Sequence, residues 1–269
     1  MELIFEKINT SDLSGLSKLQ PNGWTDITKA FEFYLSIGFC FPIKACADDD
    51  VVGLGNLISF GKTAWLSHII VNPDFRNQGI GRAVVDELLK IAREQNVECI
   101  SLFATSMGEP VYLKAGFIVD CKYLSFRKVD SSSDFSISKN IIPFDDSFAN
   151  KIYETDRQVS GEDRREILKL NISRSFLYVK NGDLLGYYLP SMGEGHIVAV
   201  TEEAGIELMK YRSIKTDIAV IPAANEVAIN FLLKNGFQNE GVKGKRMIFG
   251  KNVIWKPDCI YNRIAGNLG

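Results

Sequence analysis

Residues 66–90 read LSHIIVNPDFRNQGIGRAVVDELLK, and their residue types and spacing suit the binding of an anion. Gly79 and Gly81 bracket a single residue, with Arg76 before them and Arg82 after. Glycine lacks Cβ, so an anion approaches the backbone closely and positive φ costs little. Upstream, the apolar run Ile69, Ile70, Val71 breaks at Asn72-Pro73. Downstream, Val84, Val85, Leu88, Leu89 and Ile91 recur with the period of a helix. The order is strand, glycine-bearing loop, helix. That order points several backbone N–H groups and the positive end of the helix dipole at one spot. With two flanking arginines, the spot reads as a pyrophosphate cradle.

A nucleotide-hydrolase loop would end in Gly-Lys-Ser/Thr, whereas Gly81 is followed by Arg82-Ala83. A dinucleotide fingerprint needs a third glycine and a later acidic ribose ligand, and neither is present. The residues resemble instead the acyl-CoA-binding motif of the GNAT superfamily of N-acetyltransferases. Val71-Asn72-Pro73 and Arg76-Asn77-Gln78-Gly79-Ile80-Gly81 match that motif position by position. Tyr112-Leu113-Lys114-Ala115-Gly116-Phe117 resembles the family's second segment, with an apolar run of strand length at 98–104 between the two. The resemblance covers about residues 1–129.

The resemblance implies acetyl-CoA as co-substrate and direct attack of a primary amine on its thioester, without a covalent enzyme intermediate. It assigns Ile69, Ile70, Val71, Arg76, Asn77, Gln78, Gly79, Ile80, Gly81, Arg82 and Tyr112 to the cofactor. Backbone N–H groups of Ile69, Ile70 and Val71 would polarise the acyl carbonyl, and Tyr112 would protonate the departing thiolate. For the base, His68 has an ordinary pKa of about 6.5, which suits the task. Glu109, water, a carboxylate from the second half, or a purely packing role for His68 stay open. Trp24, Phe31, Phe33 and Tyr34 lie on a helix pair that lines the acceptor side in this superfamily; they serve either the core or the substrate.

The composition bounds the alternatives. The chain has 269 residues, 46% hydrophobic and 24% charged, as in globular proteins. A net charge of −2 leaves no electrostatic footprint for nucleic acid or anionic membrane. The five cysteines are scattered, with no C-x-x-C pair, so neither a disulfide framework nor a metal site is expected. MELIFEKI lacks a basic-then-apolar leader and no apolar run reaches spanning length, so the expected location is cytoplasmic.

Taken in order, residues 3–8 read as a strand, 11–19 and 25–35 as helices, and 41–47, 51–60 and 62–71 as meander strands. Asp48-Asp49-Asp50 reads as a tight turn and 123–129 as a strand. The polar stretch 131–134 is the expected linker. Beyond it, 149–155, 162–172, 202–211 and 225–234 read as helices, and 175–180, 184–189, 197–200 and 214–221 as strands. Asn181-Gly182 marks a hairpin.

The second half repeats the first. Asp86-Glu87-Leu88-Leu89-Lys90 recurs 120 positions later as Ile206-Glu207-Leu208-Met209-Lys210. Leu113-Lys114-Ala115-Gly116-Phe117 recurs, at the same offset, as Leu233-Lys234-Asn235-Gly236-Phe237. The copy lacks Gly-x-Gly near Val200 and has Leu232 where Tyr112 would be. Asp156-Arg157, Gly161-Glu162-Asp163-Arg164 and Arg246-Met247 resemble a C-terminal domain found in tandem bacterial GNAT proteins. Glu162-Asp163-Arg164-Arg165 is either a helix first turn with surface arginines, or Asp156, Arg164 and Arg246 face a cleft between domains. The expected fold is α/β (α+β): two GNAT-like domains, each a mixed, mostly antiparallel sheet flanked by helices. Residues 1–130 would hold the acetyl-CoA site, and 131–269 would be a degenerate copy completing the acceptor cleft. The expected partner is a small-molecule or peptide amine acceptor, with a homodimer allowed. A catalytically silent acyl-CoA-binding sensor or assembly protein is the alternative.

Overall fold

The computed structural model describes residues 2–48, 50–129 and 135–268. The linker expected at 131–134 lies outside them, as does Asp49. Two compact units emerge: Met1–Ile118 with Met247–Asn252 and Gly266–Leu268, and Val119–Arg246 with Val253–Ala265.

Unit 1 begins with β1 (Ile4–Lys7), α1 (Leu13–Leu16) and α2 (Ile27–Leu35). The expected first helix breaks into a single turn between two 3₁₀ turns, Thr10–Asp12 and Ser17–Leu19. Ser14, Gly15 and Ser17 are weak helix formers, which accounts for the break. In α2 the cap is Asp26, whose carboxylate accepts from the Thr28 N–H. The meander β2 (Cys40–Ala47), β3 (Asp50–Phe60) and β4 (Thr63–Val71) follows, then α3 (Ile80–Glu94), β5 (Cys99–Ala104) and α4 (Glu109–Lys114). Strands β1 to β4 pair antiparallel in order, and β4 pairs parallel with β5.

Helix α3 buries Ile80, Val84, Val85, Leu88, Leu89 and Ala92 against this sheet. The approach is close: a Cβ on Gly55 of β3 would lie 2.7 Å from Val84 Cγ1 and 2.9 Å from Leu88 Cδ1. Overpacking of that kind costs typically about 1–3 kcal/mol, so Gly55 sets the height of α3 above the sheet.

Unit 2 takes most of β6 (Ile118–Lys128), then β7 (Ile141–Pro143), α5 (Ala149–Ser160), α6 (Arg165–Lys169), β8 (Phe176–Lys180) and β9 (Asp183–Leu189). The chain continues through β10 (His196–Ala199), α7 (Glu202–Ser213), β11 (Ile218–Pro222), α8 (Glu226–Lys234), β12 (Phe237–Gly250) and β13 (Ile260–Asn262). The Asn181-Gly182 hairpin forms, with Lys180 opposite Asp183 and both turn residues at positive φ. The helix expected at 162–172 shrinks to α6 plus a 3₁₀ turn, because Arg164 is drawn inward to an ion pair. Strand β11 starts later than expected because α7 runs on to Ser213.

The 120-residue offset carries over to the order of elements: α3, β5 and α4 are matched along the chain by α7, β11 and α8. β12 lies beside β6 in unit 2, and its last residues, from Met247, belong to unit 1 and lie beside β5. Unit 1 therefore carries mixed, mainly antiparallel pairing. In unit 2 β6–β11, β7–β8, β8–β9, β9–β10 and β10–β13 all pair antiparallel, so the mixed sheet expected there is not seen in these pairs; helices accompany both units.

Candidate active site

The cradle residues converge at the N-terminus of α3. Asn72 caps a 3₁₀ turn at Pro73–Phe75, accepting from the Asp74 N–H. Asn77 follows at φ +62° and Gly79 at φ +84°, both left-handed; Gly79 is the N-cap of α3, and no side chain caps the helix. Its first N–H groups are thus left without a side-chain acceptor. A Cβ on Gly79 would meet nothing within 4 Å, so the space beside this residue is open. Arg76, Asn77, Gln78 and Gly79 are exposed. Ile80 is buried, which leaves only its backbone for a ligand. Arg82 is held back: Nε donates to both Asp86 oxygens at 2.8 and 2.9 Å, and Nη1 donates to the Lys114 carbonyl at the end of α4.

Beside the cradle, β4 pairs with β5 only from Thr63 to Leu66. Among the described residues, the end at Ile69, Ile70 and Val71 has no strand partner on that side. On the other side Asn72 N–H donates to the Val52 carbonyl at 2.9 Å. Strand alternation then turns the Val71 N–H away from β3 toward the open side, and keeps the backbone of Ile70 on β3. The β3–β4 register slips here: Ile70 faces Leu54 and Ser67 faces Asn56, leaving His68 and Ile69 opposite Gly55 alone. This is a β-bulge, and His68 takes φ +49°.

His68 is half-buried and ringed by aromatics. Trp24, Phe31 and Tyr34 lie with centroids 5.8, 5.8 and 5.5 Å from its ring, all edge-on. Burial lowers its pKa to about 4, so the imidazole is neutral at neutral pH. Its Nδ1 lies 2.8 Å from the Tyr34 hydroxyl, which also receives the Asn267 amide at 3.1 Å. Asn56 and Ser67 are joined by a buried bond of 3.1 Å, and neither they nor Asn267 stand in a motif that marks them in the sequence. Phe31 and Tyr34 are core residues, whereas Trp24 and Phe33 are exposed.

Tyr112 sits on α4, its ring against Phe117 at 6.1 Å between centroids. Burial pushes its hydroxyl pKa up to about 12, so it carries its proton across the physiological range. Among the described residues that hydroxyl has no hydrogen-bond partner.

The copy in unit 2 is built differently. β10 runs into α7 through Val200 and Thr201, and the Thr201 hydroxyl accepts from the Ala204 N–H as N-cap. Glu202 and Glu203 fill the first turn. β13 pairs antiparallel with β10, and Arg263 N–H donates to the Val220 carbonyl of β11 at 3.0 Å. The chain's own β13 thus lies where β10 and β11 would otherwise part. The Tyr261 ring lies over α7 so closely that a Cβ on Gly205 would fall 2.1 Å from it. Leu232, at the position of Tyr112, is fully buried.

Asp156 and Arg164 are neither surface groups nor a free pair. They are 1% and 4% exposed and form a bidentate bond at 2.7 and 3.0 Å, completed by Tyr187 O–H to Asp156 at 2.5 Å. Arg246 pairs with Asp120 at 2.6 Å and lies 4.2 Å over the Trp255 ring. Among the described residues no cluster suits a metal ion, and no helix is long and apolar enough to cross a membrane.

Residues 13–117 match the model of the Acetyltransferase (GNAT) family. The chain is 25% identical, over 87% of each sequence, to an uncharacterised N-acetyltransferase, YitH, of Bacillus subtilis strain 168. Its fold resembles the crystal structure of a putative acetyltransferase of Pyrococcus horikoshii, with TM-score 0.82, 22% identity, and coverage of 99% of this chain and 96% of that one. It also resembles a tandem GNAT protein from the clavulanic acid biosynthesis pathway, with TM-score 0.59, 14% identity, and coverage of 93% and 98%.

Proposed function

We propose that this chain, whose residues 13–117 form a GNAT acetyltransferase domain, moves acetyl from acetyl-CoA to a primary amine at a site in unit 1 alone. The observation that carries the reading is the uncapped N-terminus of α3, open beside Gly79 and next to the end of β4 that β5 does not pair. Backbone N–H groups of that turn, with Arg76 nearby, hold the pyrophosphate. The Val71 N–H, aimed off the sheet, is available to the acyl arm.

The amine nitrogen attacks the thioester carbonyl carbon, negative charge builds on its oxygen, the C–S bond breaks, and the amine's extra proton passes to water. Each backbone donor placed on that oxygen is worth about 3–4 kcal/mol. As the C–S bond breaks, Tyr112 O–H donates a hydrogen bond to the departing thiolate; any proton it passes on is replaced from water, which leaves Tyr112 neutral at the end of the cycle. A thiol has a pKa of about 8.5, below that of Tyr112 at about 12. Full transfer is therefore uphill, and Tyr112 helps mainly by a strengthening hydrogen bond as the thiolate forms.

Thiol release measured over a panel of amino acids, peptides, aminoglycosides and polyamines tests the reading, alongside calorimetry with acetyl-CoA. Binding with turnover on at least one amine is expected. Absence of acetyl-CoA binding overturns the site, and binding without turnover on any amine overturns the transferase role.

A further inference from the structure

Five described non-glycine residues have positive φ: Asp48, His68, Asn77, Asn96 and Asn181. The aspartate and the asparagines tolerate it locally, and each lies outside the strands, whereas His68 adopts it inside β4. Left-handed backbone within a strand costs of order 1–3 kcal/mol and persists only where the surroundings impose it. What they impose is a fixed imidazole.

The proton count decides its tautomer. The Tyr34 oxygen has three neighbours and one proton to give. Asn267 Nδ2 is a donor, so the oxygen accepts at 3.1 Å. Ser67 Oγ, which accepts from Asn56 Nδ2, points its own weak contact of 3.5 Å at the tyrosine oxygen as a donor, too far for a good O–H···O bond. His68 Nδ1, at 2.8 Å, is left as the acceptor of the tyrosine proton. A neutral imidazole that accepts at Nδ1 carries its hydrogen on Nε2. That Nε2 has no protein partner among the described residues and is not sealed from solvent. Within the stretch Leu66 to Val71 it is the side-chain polar atom open to a ligand, since Ser67 is buried and the rest are apolar.

We propose that Tyr34 is a positioning residue that locks His68 as the Nε2–H tautomer, so that His68 meets the acceptor as a hydrogen-bond donor and not as its base. The selectivity part rests on the transferase reading above. A donor there contributes nothing to a bare alkylamine, whose only lone pair must attack. It favours a primary amine carrying an oxygen acceptor, such as a carbonyl, close to the amino group.

Long-range ¹H–¹⁵N correlation on the ¹⁵N-labelled full chain reads the tautomer directly. The chain has two histidines, and loss of one set of signals in His68→Gln assigns them. The expected result at pH 7.5 is the Nε2–H pattern for His68, relaxing to a tautomer mixture in Tyr34→Phe. An Nδ1–H pattern or an imidazolium in the wild type overturns the proposal. In turnover, glycinamide is compared with ethylamine. His68→Leu should raise KM for glycinamide about threefold to tenfold more than it raises KM for ethylamine, with His68→Gln restoring much of that difference. A fall in kcat of roughly 10²-fold or more for both amines in both variants marks a base and overturns it. Failure to acetylate any amine overturns the transferase reading, and the spectrum still decides the tautomer.

Discussion

The helix α3 of unit 1 and the helix α7 of unit 2 begin at repeat-equivalent places and end up with opposite electrostatics. In α3 the N-terminus has a left-handed glycine with open space beside it and no side-chain cap. In α7 a threonine caps the backbone, two glutamates occupy the first turn, and β13 lies against the preceding strand. Both arrangements satisfy the same physics. The first N–H groups of a helix need acceptors, and acids near them are favourable. Unit 2 supplies a side-chain acceptor from within the chain at Thr201. Unit 1 has no such cap, and the proposed site would use those donors for an anion from outside.

Substitutions at equivalent positions should therefore hurt function in one unit and stability in the other. The largest contrast is between Tyr112 and Leu232. Tyr112→Phe is expected to lower kcat by roughly 10²-fold, the low end for proton transfer, and to leave acetyl-CoA affinity nearly unchanged. Leu232→Ala, in the core of unit 2, should cost about 2–5 kcal/mol in denaturant unfolding while kcat of the folded enzyme persists. Full kcat in the phenylalanine variant would remove Tyr112 from the chemistry.

Gly81 and Thr201 make the next pair. A Cβ on Gly81 meets only Val71 Cγ2 at 3.4 Å, an ordinary contact, so Gly81→Asp should fold. Its charge opposes bound phosphate, at a cost of about 1 kcal/mol in water and about 4 near a protein surface. Acetyl-CoA affinity should then fall by about tenfold or more; unchanged affinity by calorimetry would displace the cradle. The smallest effect is expected at Thr201→Ala, about 1 kcal/mol of stability from the lost cap. Titration of the wild type should give one acetyl-CoA per chain, and two equivalent sites would dissolve the contrast between the units.

What could be read from the sequence was what neighbouring residues decide. Gly79 and Gly81 between an apolar run and a helical stripe announce the cradle, because backbone freedom and helix dipole act within a few residues. Asn181-Gly182 specifies its hairpin for the same reason. The 120-residue repeat and the absence of glycines before α7 are equally open to inspection. The tertiary structure alone decided the rest. Arg164 follows an acid-rich helix start and looks solvated, yet burial pairs it with Asp156. β13 has no periodic signal in three residues, and only the strands beside it make it a strand. The tautomer of His68 depends on Asn267, 233 residues from Tyr34 along the chain, and no local propensity encodes a hydrogen bond closed over that distance.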